Sequence, residues 1–549
     1  MRRLVDKTRL HRLAMAALVG AVVASVGVWA QNDALVGVNY DDAVYAWLAR
    51  SLADGEGYRL SYLPEPLPGI KYPPVYPTSL AAFWTISSDR EAAFDRMKWV
   101  NGIYIGLAAG LFAFLLAELG ILTAPVAAVV ALLGFVSGSM MLVTSGLLSE
   151  PLYLVLLWGT LLAADGTTER SGIWRFVGVG VLAAAVALTR MVGLAAVIAV
   201  CVGIAWRRDR RRALIVAVAA GLTLLPWIIY TLVAADQVPA VLVPRYGSYL
   251  QRYLSGVGSS PGAALDIAFT NIGAMLQTLG AKLTPWLGAA GQGAAGVLLL
   301  VFAILGARRV ARLAPATAIY PWLYLAVMAT WTFPPFRFLF ILIPLLLALA
   351  LVGVLRLADG LQEALDQGGP DAATRRGGWA RLAVIGVVVI LGIDLGYREV
   401  GSVARRVWDG AELEKSAVAA ELVAWVEDNV RPEAVVAFEF DPLLALYSGR
   451  RTAPNNYEPL HPWYQSREPG VDELASLLVD LGVDYVAVRR DVAVAAAPID
   501  ALMGRHPGWL GIVHVTPRGV VVLRVTEEAG PAVADLTAPR NGTDREEQR

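Results

Sequence analysis

The sequence predicts a mainly α-helical polytopic membrane protein that ends in a small extracytoplasmic α/β domain. Of the 549 residues, 57% are apolar and only 17% are charged, and a soluble protein cannot bury so large an apolar share. Apolar stretches long enough to cross a bilayer recur as far as residue 397,. Beyond that point, short helical and strand-like patterns replace them,.

We predict about eleven transmembrane helices, because each span needs roughly 17–25 mostly apolar residues. The predicted spans are 13–30, 97–117, 121–143, 148–164, 174–189, 191–206, 213–235, 289–306, 315–332, 336–356 and 381–397. Gly102, Gly106 and Gly110 repeat every four residues, which predicts close packing of the second span on a neighbour. A dinucleotide-fingerprint-like run at 178–183 lies inside an apolar span without a preceding strand, so we interpret it as helix packing.

The distribution of basic residues predicts the topology. Arg2, Arg3, Lys7, Arg9 and Arg12 place the N-terminus in the cytoplasm by the positive-inside rule,. Alternating the spans from there puts the basic clusters at 207–212, 308–312 and 356–381 on the same side. Two large loops, 31–94 and 236–288, and the C-terminal region then lie outside the cytoplasm.

The predicted domains are a transmembrane domain over 1–397, a soluble extracytoplasmic domain over 398–528 and a disordered tail over 529–549. In the soluble domain, residues 412–430 and 474–481 have helical patterns. Residues 434–438 and 483–488 read as buried strands. Residues 512–515 and 520–525 predict a hairpin about a Pro-Arg-Gly turn,.

Net charge and cysteine content exclude some functions. The formal net charge is zero, which argues against a nucleic-acid partner because such partners favour basic domains. Cys201 is the single cysteine, so disulfides within the chain and cysteine-rich metal sites are excluded.

Several polar residues are predicted to face the outer compartment, where each is a candidate for function. They are Asp41, Asp42, Lys71, Tyr72, Glu150, Arg190, Arg245 and Arg337. Several also have a structural interpretation: Asp41 as a helix cap, Glu150 as a first-turn acid, Lys71 as a solvated loop charge, and Arg190 and Arg337 as anchors at the membrane surface. Together they suit transfer from a phosphate leaving group, in which one carboxylate acts as general base, arginine or lysine holds the phosphate, and a second acid binds a divalent metal ion.

The order of the motifs resembles that of GT-C glycosyltransferases, the polytopic enzymes that use polyprenyl-phosphate sugars. The matching runs are Asp41-Asp42 with Tyr45, Leu52, Gly55 and Gly57; Lys71-Tyr-Pro-Pro-Val-Tyr-Pro77; Leu148–Tyr153; Leu188–Gly193; Pro335–Pro344; Leu446–Arg451; and Gly482–Val486. The protein O-mannosyltransferase and aminoarabinose-transferase relatives are the most similar. The resemblance covers nearly the whole chain and implies a bacterial plasma membrane.

The resemblance also implies roles for the candidate residues. Asp41 corresponds to the catalytic base. Asp42 and Glu150 correspond to positions that bind substrate or a divalent metal ion. Lys71 corresponds to a lysine that meets the donor phosphate, and Arg190 and Arg337 are assigned to the same phosphate. Tyr72 and Arg245 are predicted to bind substrate.

The predicted reaction moves a sugar from a polyprenyl-phosphate carrier to an extracytoplasmic glycan, lipid or protein acceptor, with inversion at the anomeric carbon. Tyr246, Tyr249, Tyr253 and Trp286 of the second outer loop are candidates for stacking on the sugar or for lining the lipid path,. Two other functions stay open: a transporter or flippase for a lipid-linked sugar, and a non-catalytic subunit of envelope assembly.

Overall fold

The computed structural model describes residues 2–256, 261–366, 373–455 and 470–526. The first ten helices are α1 (Arg2–Trp29), α2 (Asp41–Ala53), α3 (Val75–Ile86), α4 (Arg90–Glu118), α5 (Ala124–Phe135), α6 (Gly138–Ser145), α7 (Glu150–Asp165), α8 (Ile173–Thr189), α9 (Leu194–Trp206) and α10 (Arg210–Ala234). The next eight are α11 (Val243–Tyr246), α12 (Tyr249–Gly256), α13 (Pro261–Leu283), α14 (Ala289–Val310), α15 (Pro315–Ala329), α16 (Phe336–Phe340), α17 (Ile343–Asp366) and α18 (Ala373–Ala404).

The last four helices are α19 (Asp409–Asn429), α20 (Asp441–Ser448), α21 (Val471–Asp480) and α22 (Ala493–Arg505). The strands are β1 (Arg59–Leu60), β2 (Leu67–Pro68), β3 (Val435–Ala437), β4 (Arg451–Ala453), β5 (Tyr485–Arg489), β6 (Leu510–Val515) and β7 (Val520–Val525). The tail predicted over 529–549 lies outside the described residues.

The chain divides into two compact units. Unit 1 comprises Met1–Asp33, Ile70–Ala235 and Ser248–Gly410, and unit 2 comprises Ala34–Gly69, Asp236–Gly247 and Ala411–Arg549. This division differs from the boundary expected after residue 397, because parts of both predicted outer loops group with the C-terminal region. The helix that carries Asp41 and Asp42 therefore belongs to unit 2.

The count of about eleven spans is not confirmed. Among the described residues, six helices are long and apolar enough to cross a membrane, or seven if a bent pair counts as one span. Three shorter apolar helices lie at 173–189, 191–206 and 315–329. These helices agree with a multi-pass membrane protein, but several predicted spans are too short or too interrupted to count on length and composition.

Two predicted spans are broken in the structure. The span predicted at 121–143 divides into α5 and α6, which meet at 63°, because the Ser137 side chain accepts a hydrogen bond from Met140 N and begins a new helix,. The span predicted at 336–356 divides into α16 and α17. Pro344 is the second residue of α17, where its missing N–H removes no helical hydrogen bond.

The outer loop predicted at 236–288 contains a long helix, α13, that the sequence analysis missed. Polar residues such as Asp266, Asn271 and Gln277 interrupt its apolar pattern. Helix α13 packs closely on α14, since a Cβ added to Gly280 would overlap the carbonyl oxygen of Gln292. Tertiary packing thus supports a helix that hydropathy alone does not indicate.

The glycine repeat in α4 packs as predicted. A Cβ on Gly106 would lie 2.6 Å from the carbonyl oxygen of Gly20 in α1, and one on Gly102 would lie 2.8 Å from the backbone of Gly27. Gly180 of the fingerprint-like run similarly faces the backbone of Val216, at 2.6 Å from its carbonyl oxygen. Both glycine patterns bring helix backbones together.

Unit 2 contains a five-stranded mixed sheet in the order β4-β3-β5-β7-β6. Strand β3 pairs in parallel with both β4 and β5, whereas β7 is antiparallel to β5 and β6. The β6–β7 hairpin and the strands β3 and β5 lie where the sequence predicts them. Helix α20, between β3 and β4, begins at Asp441.

Candidate functional site

Glu150 is the centre of a charged cluster in unit 1. It is the first residue of α7 and is completely buried. Its Oε1 lies 2.9 Å from Nη1 of Arg190 and 3.2 Å from Nε of Arg337. Arg190 also donates a hydrogen bond to the Ser149 hydroxyl, at 2.9 Å. One carboxylate is therefore shared by two guanidinium groups.

Breaks between helices supply these three residues. Arg190 has an extended backbone conformation at the end of α8, where the chain turns before α9. Arg337 lies in the short helix α16, and Glu150 opens α7. Charged side chains are costly on the apolar sides of membrane helices, whereas at helix ends they can pair with one another. Charged groups from distant parts of the chain can therefore meet there.

Aromatic rings connect the two arginines to a second pair of cations. The Phe338 ring lies 5.3 Å from the guanidinium carbon of Arg190 and 5.6 Å from that of Arg337. Trp331 contacts both Phe338 and Phe333, with ring centroids 6.2 and 6.4 Å apart. The negative faces of such rings attract cations.

Lys71 and Arg252 both lie near the ring of Phe333. The Phe333 centroid is 6.0 Å from Lys71 Nζ and 4.2 Å from the guanidinium carbon of Arg252. Lys71 Nζ also lies 5.5 Å from the Tyr72 ring. The Tyr249 ring centroid lies 6.2 Å from that of Tyr72 and 5.4 Å from that of Trp331.

We call this set the cationic aromatic cluster: Lys71, Tyr72, Glu150, Arg190, Tyr249, Arg252, Trp331, Phe333, Arg337 and Phe338. It brings together five of the predicted site residues. Among the residues that the structure describes, the cluster contains four cations and one carboxylate. Arg252, which is only 1% exposed, was not among the predicted site residues. A basic residue between Tyr249 and Tyr253 was the signal available.

The other aromatic candidates are dispersed. The Tyr253 hydroxyl donates to Thr330 Oγ1 at 3.2 Å, and Trp286 is 60% exposed, beneath the guanidinium of Arg398. Tyr246 belongs to unit 2. Of the four, Tyr249 alone is a member of the cationic aromatic cluster as defined above.

Asp41 and Asp42 have different environments in unit 2. Both lie in the first turn of α2, after Tyr40, whose φ is 64°. The side chain of Asp41 is half-buried, whereas that of Asp42 is 1% exposed and its Oδ2 accepts a hydrogen bond from Gly37 N at 2.8 Å. Burial raises the pKa of Asp42 to about 7, although the backbone hydrogen bonds from Gly37 and Ala43 oppose that rise,.

Arg245, a predicted substrate-binding residue, is buried in unit 2. Its Nη2 donates to Asp441 Oδ1 at 2.8 Å and to the Glu439 carbonyl at 2.6 Å, and its Nε donates to the Tyr40 hydroxyl at 2.9 Å. The Tyr246 hydroxyl donates to the other oxygen of Asp441. These contacts give Arg245 a structural role, because a phosphate would have to displace Asp441 from it.

The predicted divalent metal does not fit the carboxylates assigned to it. Within the described residues, no group of three or more acids, histidines and cysteines could hold a metal ion. Glu150 forms ion pairs with the guanidinium groups of Arg190 and Arg337, whose positive charges would repel a divalent cation,. Asp42 is buried against the Gly37 amide. The oxygen-rich ligand set that magnesium or calcium needs is thus not provided by these residues.

Comparison with known proteins identifies the fold. No family model matches the chain, and no curated protein matches it. The crystal structure of ArnT from Cupriavidus metallidurans bound to undecaprenyl phosphate matches 94% of this chain and 98% of its own, with a TM-score of 0.54 and 15% identity. The chain has the ArnT fold.

Two further solved structures are similar. The apo state of the same ArnT gives a TM-score of 0.51 over 93% of this chain and 98% of its own, at 15% identity. Arabinofuranosyltransferase AftD from Mycobacteria gives 0.43 over 93% of this chain and 40% of its own, at 16% identity. The ArnT fold agrees with the resemblance to aminoarabinose-transferase relatives that the sequence motifs carry.

Proposed function

We propose that the protein is a membrane glycosyltransferase that takes its sugar from a polyprenyl-phosphate carrier. The cationic aromatic cluster is the observation that carries this proposal. Its guanidinium and ammonium groups suit a phosphate, and its aromatic rings suit the sugar or the polyprenyl chain. The ArnT fold supports the same class of donor, because ArnT has been solved with undecaprenyl phosphate bound.

In the proposed reaction, the cluster holds the donor phosphate as it departs. Lys71 and Arg252 provide charge around Phe333, and Arg337, whose side chain is 30% exposed, provides an accessible guanidinium. The side chain of Arg190 is 9% exposed and is held by both Glu150 and Ser149. Its proposed role is therefore to position Glu150 and, through Glu150, Arg337. Preorganised positive charge stabilises a leaving phosphate.

Asp41 is the proposed general base. It removes the proton from the acceptor hydroxyl or amine as that atom attacks the anomeric carbon. The new bond to carbon forms while the bond from carbon to the phosphate oxygen breaks, and polyprenyl phosphate leaves. A single displacement of this kind inverts the anomeric centre. Asp42 is less suitable, because its buried carboxylate is turned to the Gly37 amide.

The substitution Asp41→Asn tests the base. It keeps the shape of the side chain and removes its basicity, so we expect transfer to fall by at least about a hundredfold. Strains that carry the wild-type or variant gene in a deletion background are compared by mass spectrometry of their envelope glycolipids and glycans. Asp54→Asn, at the other end of α2 with a side chain that is 52% exposed, is the matched control.

The outcomes separate the parts of the proposal. A product level in Asp41→Asn equal to that of the wild type would remove Asp41 as base. A missing product in the Asp54→Asn control would indicate that the helix, rather than the carboxylate, is required. If the wild-type gene restores no glycan or glycolipid to the deletion strain, the glycosyltransferase assignment itself is wrong.

A further inference from the structure

A second concentration of positive charge lies in unit 1, where the C-terminal end of α14 meets the middle of α17, apart from the residues used in the proposed reaction. A cavity of about 380 Å³ opens there. It is lined by four arginines and three apolar residues: Arg308, Arg309, Arg312, Arg356, Leu305, Gly353 and Leu357. A neighbouring cavity of about 350 Å³ shares Arg309 and Arg356 with it.

Close packing of the two helices brings these arginines together. A Cβ on Gly306 would overlap the Leu349 carbonyl oxygen, and one on Gly353 would overlap that of Phe302. Arg309 and Arg356 each follow one of these glycines by three residues, less than one helical turn. The backbone contact therefore makes basic side chains from two helices converge.

The convergence concentrates charge of one sign. Across the ranges that the structure describes, no carboxylate forms an ion pair with any of the four arginines. Asp359, which lines the neighbouring cavity, pairs instead with Arg381, at 3.0 Å. Like charges that approach one another raise the free energy of the protein unless an anion neutralises them.

We propose that this cavity binds the phosphate group of an anionic ligand, with a membrane phospholipid as the expected source. Guanidinium groups bind phosphate oxygens in a bidentate manner, and basic pockets between membrane helices suit anionic lipid headgroups. Apolar side chains beside the arginines are exposed, among them Leu305 (37%), Leu313 (41%) and Leu357 (44%). Acyl chains can cover these side chains while the headgroup enters the cavity.

Lipid-dependent stability and native mass spectrometry of the full-length protein test the proposal. The probes are phosphatidylglycerol, phosphatidylcholine and inorganic phosphate, each added to the detergent-solubilised protein. The pocket variant combines Arg308→Gln, Arg309→Gln and Arg356→Gln. The matched control combines Arg208→Gln, Arg210→Gln and Arg211→Gln, which removes the same charge from another basic cluster whose three arginines are exposed.

We expect the wild type and the control to retain bound phosphatidylglycerol and to melt at a higher temperature with it than with phosphatidylcholine. The pocket variant should bind phosphatidylglycerol at least about tenfold more weakly, because charge-assisted hydrogen bonds are lost. Stabilisation by inorganic phosphate alone, lost in the pocket variant, would support the phosphate site and identify a soluble source. Equal responses of the wild type and the pocket variant to both anions would overturn the proposal.

Discussion

Two buried carboxylates, one in each unit of the molecule, are neutralised by different sets of partners. Glu150 in unit 1 and Asp441 in unit 2 are both fully buried. Glu150 is shared by two guanidinium groups, and the side chain of Arg337 is 30% exposed. Asp441 has one guanidinium, from the 9% exposed Arg245, and the Tyr246 hydroxyl.

The difference suggests different roles: the Glu150 cluster is the proposed binding site, and the Asp441–Arg245 pair stabilises the fold of unit 2. In unit 2, Arg245 and Asp441 neutralise each other, and both are buried. Their hydrogen bond links the segment 236–247 to α20. Glu150 pairs with two arginines rather than one, and Arg337 is partly exposed, an arrangement that suits the anion binding proposed above,. We therefore expect the Asp441 pair to act in stability and the cluster around Glu150 to act in the proposed anion binding.

The largest expected effect comes from breaking the neutral pair with Asp441→Asn. Arg245 would then be buried without its counter-charge, so we expect the free energy of unfolding to fall by about 3–5 kcal/mol. Thermal unfolding in detergent measures it. Asp491→Asn, which removes an exposed partner of Arg489, is the control and should change stability by no more than about 0.5 kcal/mol. An equal melting temperature for Asp441→Asn and wild type would contradict the structural role.

Asp42 extends the comparison to a buried carboxylate held by backbone amides. Its folded-state pKa is raised from 3.8 to about 7, so the folded state binds its proton more tightly than the unfolded state does. The associated stability is present below about pH 4 and is lost as the pH rises to about 7, a change on the order of 4 kcal/mol. In Asp42→Asn we expect the melting temperature to decline less than that of the wild type over this range. Parallel pH profiles for the two proteins would contradict the shift.

Arg337→Gln sharpens the view that the cluster around Glu150 binds an anion. Arg190 still neutralises Glu150 in this variant, so the fold should remain. Affinity for undecaprenyl phosphate should fall about tenfold or more, since one charged hydrogen bond contributes about 1.5–3 kcal/mol. Thermal stabilisation by the lipid phosphate, titrated for each protein, measures the change. Arg381→Gln, in an exposed ion pair, is the control; an equal loss in both variants would remove Arg337 from the phosphate site.

The smallest effect is expected for Tyr246→Phe. This change removes the hydroxyl that donates to Asp441 but retains the arginine, so we expect a loss of about 1–2 kcal/mol. Thermal unfolding of Tyr246→Phe and the half-buried control Tyr485→Phe gives the difference. A loss as large as that of Asp441→Asn would mean that the hydroxyl of Tyr246, and not the ion pair with Arg245, contributes most of the stability that depends on Asp441.

Local patterns predicted much of the fold. Hydropathy identified the apolar helices, the spacing of Gly102, Gly106 and Gly110 identified a close helix contact, and two short runs about a Pro-Arg-Gly turn identified the β6–β7 hairpin. Helix ends were less predictable. The break between α5 and α6 depends on the Ser137 cap, and α13 depends on its packing against α14.

The candidate site was predicted in part. Sidedness of the charges selected Lys71, Glu150, Arg190 and Arg337, which meet in the cationic aromatic cluster. Arg252 was missed, because a single basic residue in an aromatic stretch has no periodic signal. The contact of Arg245 with Asp441 was also not predicted, since the two residues are 196 positions apart.

The sequence by itself determined the membrane class, the regions of helix and strand, and the residue types suited to a phosphate. These properties depend on composition and on spacing within a few helical turns, which are local. Tertiary structure alone decided that residues 34–69 join the C-terminal region and which buried acid receives two arginines rather than one. Such pairings depend on where distant helix ends meet, and the energies of burial and charge that fix them arise only after the chain has packed.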